Sequence, residues 1–509
     1  MKLSRRHFVV GSLSGGAAIA QRRVFAQGVP LDCLPPLPSG QPVAFAPPAG
    51  LPMRIRKSAF DLDASESTRL KAAYAALRRL YEQSPNDARG WLHQGLVHCW
   101  YCSGAGDGLN GQEIHGGWWF LPWHRAFLYF HERILAILLG DPAFALPYWD
   151  WDTPGRNRVP DVYRTPSDTS NPLFDPTRKA GANDRIPDFL VGPKEIQSVL
   201  GQMTFALFGG AGEGASGQMG AMEGAPHGGV HLWSTDPIKI DPNNPQIDMG
   251  VLATAALDPI FFAHHANIDR LWNTWTESSP SHVNPPDAVW PQQQFLFYDQ
   301  QAQWTAIAVS QVLQNEATLR YKYQSPGTAP STATPVAAAQ ARPAPAPGGA
   351  EAAVSGPPIM EFSTNSALKT LTPEPATLEL EVPGVAKDKL SAAVNSASRL
   401  VLRIDGVQIP SDRGALAKVF LNNPAATAAT PTSDPSYVGS IVVAPATARG
   451  VGPARQDTLR NFAFDITAQM AGSLTNQRNL SVTLVPFQGQ GVKPEVVSMR
   501  YRRVYVMAQ

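Results

Sequence analysis

The sequence lacks an excess of charge of either sign, and it lacks a long apolar run. A net charge of +1 over 509 residues gives no global field that would attract nucleic acid or an anionic membrane. The one candidate apolar span, from Phe8 to Ala20, is short and rich in Gly and Ser, which argues against a membrane anchor. Hydrophobic residues make up 43%, so the chain can bury a sizeable core, and we expect a globular protein of two or three domains.

The apolar span follows a basic N-terminus and indicates a signal peptide over residues 1–26. Residues 4–9 read Ser-Arg-Arg-His-Phe-Val and resemble the twin-arginine export signal, with a cleavage site after Ala26. Twin-arginine export carries folded proteins, so it suits an enzyme that receives its metal before export. We therefore expect a periplasmic or secreted protein, with a cytoplasmic metal chaperone as a possible partner.

Histidine is absent from the C-terminal part of the chain. One of the eleven histidines is His7, and the other ten lie between positions 93 and 282. Helical spacing of apolar residues from 61 to 81 predicts a mainly helical core over 27–324. A Pro- and Ala-rich linker over 325–360 follows, and period-two alternation at 377–382, 400–404 and 480–485 predicts a β-sandwich over 361–509. Metal chemistry that needs imidazole therefore belongs to the core.

Two clusters of histidine carry the chemistry. The first cluster comprises His98, His115 and His124, and the second comprises His227, His231, His264 and His265. The four-residue spacing of His227 and His231 places both on one face of a helix. Imidazole sets suit copper, zinc or iron, but these lack the added carboxylate of zinc hydrolases and non-haem iron oxygenases.

The two clusters resemble the copper-binding signatures of type-3 copper proteins, the family of tyrosinases, catechol oxidases and hemocyanins. The nine-residue step from His115 to His124 fits, as does the Arg-x-x-x-Tyr-Phe run that begins at Arg125. The resemblance implies a four-helix bundle around two copper ions. It assigns His98, His115 and His124 to the first copper and His227, His231 and His265 to the second, with His264 behind the metal.

The likeness to plant-type polyphenol oxidases extends over about 31–509. Cys33 precedes two prolines, and residues 98–102 read His-Cys-Trp-Tyr-Cys. This resemblance implies a disulfide between Cys33 and Cys99 and a thioether between Cys102 and His115; a buried thiol at Cys102 stays open as the alternative. It also implies a C-terminal domain that covers the copper site and makes the enzyme latent. We expect a bacterial member of the family with this two-domain architecture.

The resemblance also indicates a reaction with dioxygen and small phenols or catechols. Family members hydroxylate monophenols with the help of a water held by a Glu, whose position Glu223 fits. The companion Asn position is Gly228, which has no side chain to bind that water, and Phe261 is expected to pack over the second copper in the substrate pocket. We therefore expect tyrosinase activity, with a catechol oxidase limited to diphenols as the alternative. A dioxygen carrier and a zinc or iron hydrolase are the competing classes.

Overall fold

The fold is described from a computed structural model. It describes residues 35–36, 40–102, 113–179, 181, 183–212, 217–235, 249–326, 358–363, 369–371, 374–382, 384–395, 398–409, 414–445, 458–473, 479–486 and 499–508. The predicted signal segment 1–26, Cys33 and residues 327–357 of the predicted linker lie outside these ranges. Within them, no helix combines the length and apolar character needed to cross a membrane.

Four longer helices form the core of the N-terminal part. They are α1 (Ala64–Gln83), α2 (Trp91–Cys102), α3 (Phe120–Leu139) and α9 (Ile260–Ser278). Helix α1 begins at a capping box of Asp63 and Glu66 and buries one face against α3. Helix α3 is buried on all sides from Phe120 to Ala136, so it occupies the centre of the bundle.

Short elements complete the core and surround the bundle. The helices are α4 (Asp161–Arg164), α5 (Asp188–Val191), α6 (Pro193–Leu200), α7 (Phe205–Phe208), α8 (Gly229–Ser234) and α10 (Val309–Val312). A π-helical turn spans Glu223–Gly228, and 3₁₀ turns span Ala255–Leu257 and Trp290–Gln292. The strands are β1 (Val43–Ala44), β2 (Arg54–Arg56), β3 (Gln218–Met219), β4 (Gln294–Tyr298), β5 (Trp304–Ala308) and β6 (Tyr321–Tyr323).

The C-terminal part is a sandwich of two sheets. Its elements are β7 (Met360–Ser363), β8 (Lys369–Leu371), β9 (Ala376–Glu381), α11 (Gly384–Asn395), β10 (Leu400–Ile409), β11 (Ala415–Leu421), β12 (Tyr437–Val443), β13 (Thr458–Asp465), α12 (Thr467–Ser473), β14 (Asn479–Pro486), β15 (Met499–Tyr501) and β16 (Arg503–Ala508). One sheet has the order β12-β11-β14-β9, and β10 pairs with β13, β15 and β16 in the other. Alternate side chains of both sheets, such as Leu402 and Val482, form one buried cluster. The predicted helical core followed by a β-sandwich is confirmed.

The two parts share a sheet edge. Strand β3 of the core pairs in parallel with β13, which matches Gln218 to Asn461 and Met219 to Phe462. The Asn461 side chain also donates to the carbonyl of Gly217 at 2.9 Å, and Arg403 hydrogen bonds Gln218. Because β3 lies directly before the Glu223–Gly228 turn, the C-terminal sheet is attached next to the second histidine cluster.

A second contact between the parts carries a buried carboxyl group. Glu195 on α6 accepts a hydrogen bond from the Tyr437 hydroxyl at 2.8 Å, and that hydroxyl also lies 2.8 Å from Ser440 Oγ. Burial raises the pKa of Glu195 to about 7, although the bond from Tyr437 opposes the shift. Between its ordinary pKa and about 7, burial in the folded chain therefore keeps the Glu195 carboxyl neutral.

Buried ion pairs and hydrogen bonds connect α3 and α9 to strands β2 and β6. The carboxylate of Glu132 accepts from Arg54 Nε at 2.7 Å and from Arg56 Nε at 2.9 Å, and both arginines are buried. Asp269 on α9 pairs with Arg125 and accepts from Tyr321 at 2.6 Å. This network sets the position of the two helices that carry His124 and His265.

Candidate metal centre

The first histidine cluster meets at the centre of the bundle. His98 lies on α2, His115 lies in the segment before α3, and His124 lies in the second turn of α3. One ring nitrogen of each lies within 4.8 Å of the others, and all three side chains are buried. Helix packing therefore brings together residues that a loop separates in the chain.

The second cluster comes from a short π-turn and two helices. His227 lies in the Glu223–Gly228 turn, His231 on α8 and His265 on α9, and their rings converge with that of His264. Pro226 within the turn has no amide hydrogen to donate to an α-helical ladder, and wider π-turns are frequent at functional sites. The rings of His227 and His231 lie 4.6 Å apart, so they share a face as their spacing predicts.

His264 lies close enough to join the cluster, but its ring nitrogen on that side carries a proton. Its Nδ1 accepts a hydrogen bond from the indole Nε1 of Trp151 at 3.0 Å. An indole nitrogen only donates, so neutral His264 carries its proton on Nε2 and offers no lone pair there. This geometry favours His227, His231 and His265 as the metal-binding set, with His264 behind them.

Four other ring Nδ1 atoms are held by acceptors. His124, His227 and His231 contact the carbonyls of Phe120 at 2.7 Å, Glu223 at 3.2 Å and Met249 at 2.7 Å, and His115 contacts the Glu113 carboxylate at 3.3 Å. Acceptors at Nδ1 place the proton there and leave Nε2 as a free base, which is the form that binds a metal. Among the described residues, Nε2 of His115, His124 and His227 has no hydrogen-bond partner.

The distances between nitrogens fit a bound cation. Nε2 of His231 lies 3.4 Å from Nε2 of His265. Two nitrogens that each bind one metal at 2.0–2.1 Å with a tetrahedral angle lie about 3.3 Å apart. The two clusters also face each other, because the rings of His124 and His265 stack at 4.0 Å. Burial lowers the pKa of all six histidines and keeps them neutral, as metal ligands must be.

Phe261 packs deep in the site instead of lining its mouth. It is fully buried, and its ring lies 4.2 Å from that of His265 and 4.8 Å from that of His98. Phe261 therefore packs against a predicted ligand of the second copper, and its place in the substrate pocket stays a prediction. Because α9 turns this residue inward between the two clusters, the ring excludes water from both.

The mouth of the site is closed by the C-terminal sandwich. The cavity is lined on the core side by His115, Met219, Glu223, His227, Gly228 and Leu252, and on the sandwich side by Val442, Val443, Ala444 and Arg460. A Cβ atom built on Gly228 would lie 3.2 Å from Cγ1 of Val442, so β12 touches the turn that carries His227. Gly228 lines this cavity, and its place in a substrate pocket stays a prediction.

Glu223 lies at this mouth, and one of its two carboxylate oxygens accepts a hydrogen bond. Its Oε1 accepts from the backbone amide of Gly116 at 2.7 Å, and its buried Oε2 has no partner among the described residues. Burial raises the pKa of Glu223 to about 8, while Arg460 and the Gly116 amide oppose that rise. The negative form of Glu223 therefore depends on neighbouring positive charge.

The two cysteines near His98 differ in their covalent state, because one forms a disulfide and the other is a thiol. Cys99 is disulfide-bonded, and its predicted partner Cys33 lies outside the described residues. Cys102 is buried, and its thiol donates to the carbonyl of Cys99 at 3.6 Å. The predicted thioether to His115 stays a prediction.

Three residues of the site were not predicted from the sequence. Glu113 contacts His115, Trp151 sets the tautomer of His264, and Arg460 reaches the mouth from β13. The acidic residue two positions before a predicted ligand was a usable signal for Glu113. Trp151 and Arg460 lie far from the histidine clusters in the chain, so no local pattern indicates them.

Comparison with known proteins indicates the family to which the chain is similar. The family model for the common central domain of tyrosinase matches residues 85–205 and 176–278, and the model for the polyphenol oxidase middle domain matches 284–335. The latent polyphenol oxidase of Prunus armeniaca is 35% identical over 376 residues, which are 64% of this chain and 60% of that protein. The (+)-larreatricin hydroxylase of Larrea tridentata is 35% identical over 59% of this chain and 54% of that protein. This chain spans 60% or less of the length of these relatives.

Solved structures extend the likeness to both parts of the chain. A latent aurone synthase matches with a TM-score of 0.69 over 94% of this chain and 93% of that one, at 24% identity, which establishes the shared fold. The polyphenol oxidase of Grenache (Vitis vinifera) is 35% identical, with a TM-score of 0.50, over 58% of this chain and 91% of that one. The relatives named here are plant proteins, and they lend no support to the expected bacterial source.

Proposed function

Because this chain belongs to the tyrosinase and polyphenol oxidase family, we propose that it oxidises phenols with dioxygen at a pair of copper ions. The observation that carries the proposal is the convergence of two facing sets of three buried, neutral imidazoles. We assign His98, His115 and His124 to one ion and His227, His231 and His265 to the other. Copper, when bound, supplies the electron exchange with dioxygen and the Lewis acidity that binds a phenolate.

The residues around the two ions prepare this chemistry. Carbonyls and one carboxylate hold four of the six ligand rings in a single tautomer, so the nitrogens of these four need no reorganisation when the metals bind. Phe261 and the other buried aromatic residues exclude water from the inner side, so a substrate approaches from the mouth. Glu223 at that mouth accepts the phenol proton through its Oε2, directly or through a water, and nearby metal ions favour its negative form.

The main test measures L-DOPA and tyrosine oxidation by the copper-loaded protein, with copper content measured in parallel. We expect both substrates to be oxidised, and tyrosine to be oxidised more slowly because Gly228 provides no side chain to hold a water beside Glu223. Glu223→Gln should lower tyrosine turnover more than L-DOPA turnover. If L-DOPA alone reacts, the protein is a catechol oxidase; reversible oxygen binding without quinone formation would identify a carrier and contradict the proposal.

We further propose that the C-terminal sandwich makes the uncut chain latent. Val442, Val443 and Ala444 occupy the side of the cavity through which a phenol would enter. A Pro- and Ala-rich linker is readily cut, but the shared β3–β13 edge can hold the cut pieces together. The test compares L-DOPA oxidation before and after linker cleavage and mild detergent, at equal copper content. Equal rates would remove the covering role.

Two covalent links and the location complete the proposal. We propose a Cys33–Cys99 disulfide and a Cys102–His115 thioether, which intact mass and peptide mapping with and without reductant would detect.

We also propose export by the twin-arginine route from residues 4–9 alone, with copper delivered before export by a chaperone. The relatives in the comparison are plant proteins, several of them chloroplastic, so they do not support this route. Replacing both arginines by lysine should trap the protein inside a bacterial host if the route is correct.

A further inference from the structure

His115 differs from the other proposed ligands in what holds its ring. Glu113 Oε1 accepts from the backbone amide of His115 at 3.0 Å and faces its Nδ1 at 3.3 Å. The Nδ1 atoms of His124, His227 and His231 contact neutral carbonyls instead. A carboxylate at Nδ1 fixes the tautomer and also strengthens electron donation from Nε2 to a metal.

The other oxygen of Glu113 faces an arginine from the C-terminal sandwich. Arg460 on β13 is buried, and its Nη2 lies 4.0 Å from Glu113 Oε2. Its Nη1 donates to the Leu459 carbonyl at 2.9 Å, which directs the side chain over the segment that carries His115. A Cβ atom at Gly116 would lie 2.7 Å from Arg460 Cδ, and Gly116 has a φ of +82°, so both space and backbone require glycine there.

We infer that Glu113 is a positioning residue for His115 and that Arg460 makes its effect depend on whether the sandwich is docked. A guanidinium at this distance attracts the carboxylate and withdraws negative charge from the His115 ring. The docked sandwich therefore weakens the first metal site electrostatically, in addition to covering it. Removal of Arg460 should strengthen copper binding at that site, and neutralisation of Glu113 should weaken it.

This inference rests on the proposed ligand set, and copper binding tests it without any turnover. Apo-protein of the full chain is titrated with copper against a competing chelator, and the His115→Gln variant identifies which binding step belongs to the first site. We expect Glu113→Gln to weaken that step by about 10- to 100-fold and to leave the second step unchanged. Arg460→Gln should tighten the first step, and adding Arg460→Gln to Glu113→Gln should tighten it less, because only the effects of Arg460 on Glu223 and on the metal itself then remain.

Arg403→Gln is the matched control. Arg403 also crosses from the sandwich to the core, where it contacts Gln218, but it faces no carboxylate next to a proposed ligand. It should therefore loosen the junction without tightening the first copper step. Melting of each apo-protein, and Glu113→Asp as a variant that keeps the charge, separate loss of folding from loss of electrostatic support.

The outcomes are distinct. Unchanged first-site affinity in a folded Glu113→Gln protein would overturn the inference while the proposed function stands. Equal shifts in Arg460→Gln and Arg403→Gln would overturn the role of Arg460, because loosening of the junction would then explain both. Wild-type protein that binds fewer than two copper ions would overturn the ligand set, and the inference with it.

Discussion

An asparagine at position 228 should open the latent chain before it changes the chemistry. Gly228 has an ordinary helical backbone, with φ of −61°, so the substitution costs no backbone strain. A Cβ atom there would lie 3.2 Å from Val442 Cγ1 and 3.6 Å from the carbonyls of Glu223 and Val442. The contact with Val442 is tighter than an ordinary van der Waals contact, so Val442 on β12 has to shift before the Asn side chain fits.

The size of the effect follows from the cost of overpacking. Inserting a larger group into a packed contact costs about 1–3 kcal/mol. Withdrawal of β12 relieves this cost, so the open form gains the same free energy relative to the closed form. That corresponds to an opening equilibrium shifted by about 5- to 150-fold. We expect L-DOPA oxidation by the uncut Gly228→Asn chain to rise within this range, at equal copper content.

Two controls isolate the contact. Val442→Ala removes the atom nearest the new side chain, so adding Gly228→Asn to Val442→Ala should raise the rate less than it does in wild type. In the freed core, Gly228→Asn should instead raise the ratio of tyrosine to L-DOPA turnover, because its amide can hold a water beside Glu223. A folded, copper-loaded, uncut Gly228→Asn chain that turns over L-DOPA at the wild-type rate would refute the packing argument.

Three further variants test other contacts. The pKa of Glu195 is raised from 4.5 to about 7 in the folded chain, so the stabilisation from its neutral form is complete below about 4.5 and falls by about 1.4 kcal/mol per pH unit up to 7. The melting temperature of Glu195→Gln should therefore fall less than that of the wild type between pH 5 and 7.5. An equal fall in both proteins would contradict the raised pKa of Glu195. Glu132→Gln leaves Arg54 and Arg56 with less compensating charge and should destabilise the core by about 3–5 kcal/mol in urea unfolding, whereas a loss below 1 kcal/mol would contradict the network. His231→Ala should bind one copper fewer per chain and form no quinone from L-DOPA; full activity would disprove the second ligand set.

The sequence by itself determined the chemistry and the type of each part. The four-residue step from His227 to His231 predicted that both rings share one face, and the resemblance of both clusters to copper-binding signatures implied two sets of three imidazoles. Alternating apolar residues predicted the strands of the sandwich, because successive strand residues face opposite sides. Both signals are local, so a single chain displays them without any knowledge of what packs against what.

The tertiary structure alone decided which groups surround those ligands. Trp151 removes His264 from the ligand set, Arg460 faces Glu113, and Val442 closes the mouth beside Gly228. Each pair joins two segments that are distant in the sequence. The local pattern of apolar residues in either segment would be the same without the contact. The first pair depends on how segments of the core pack together and the other two on how the core and the sandwich dock, and no local spacing in the chain records either arrangement.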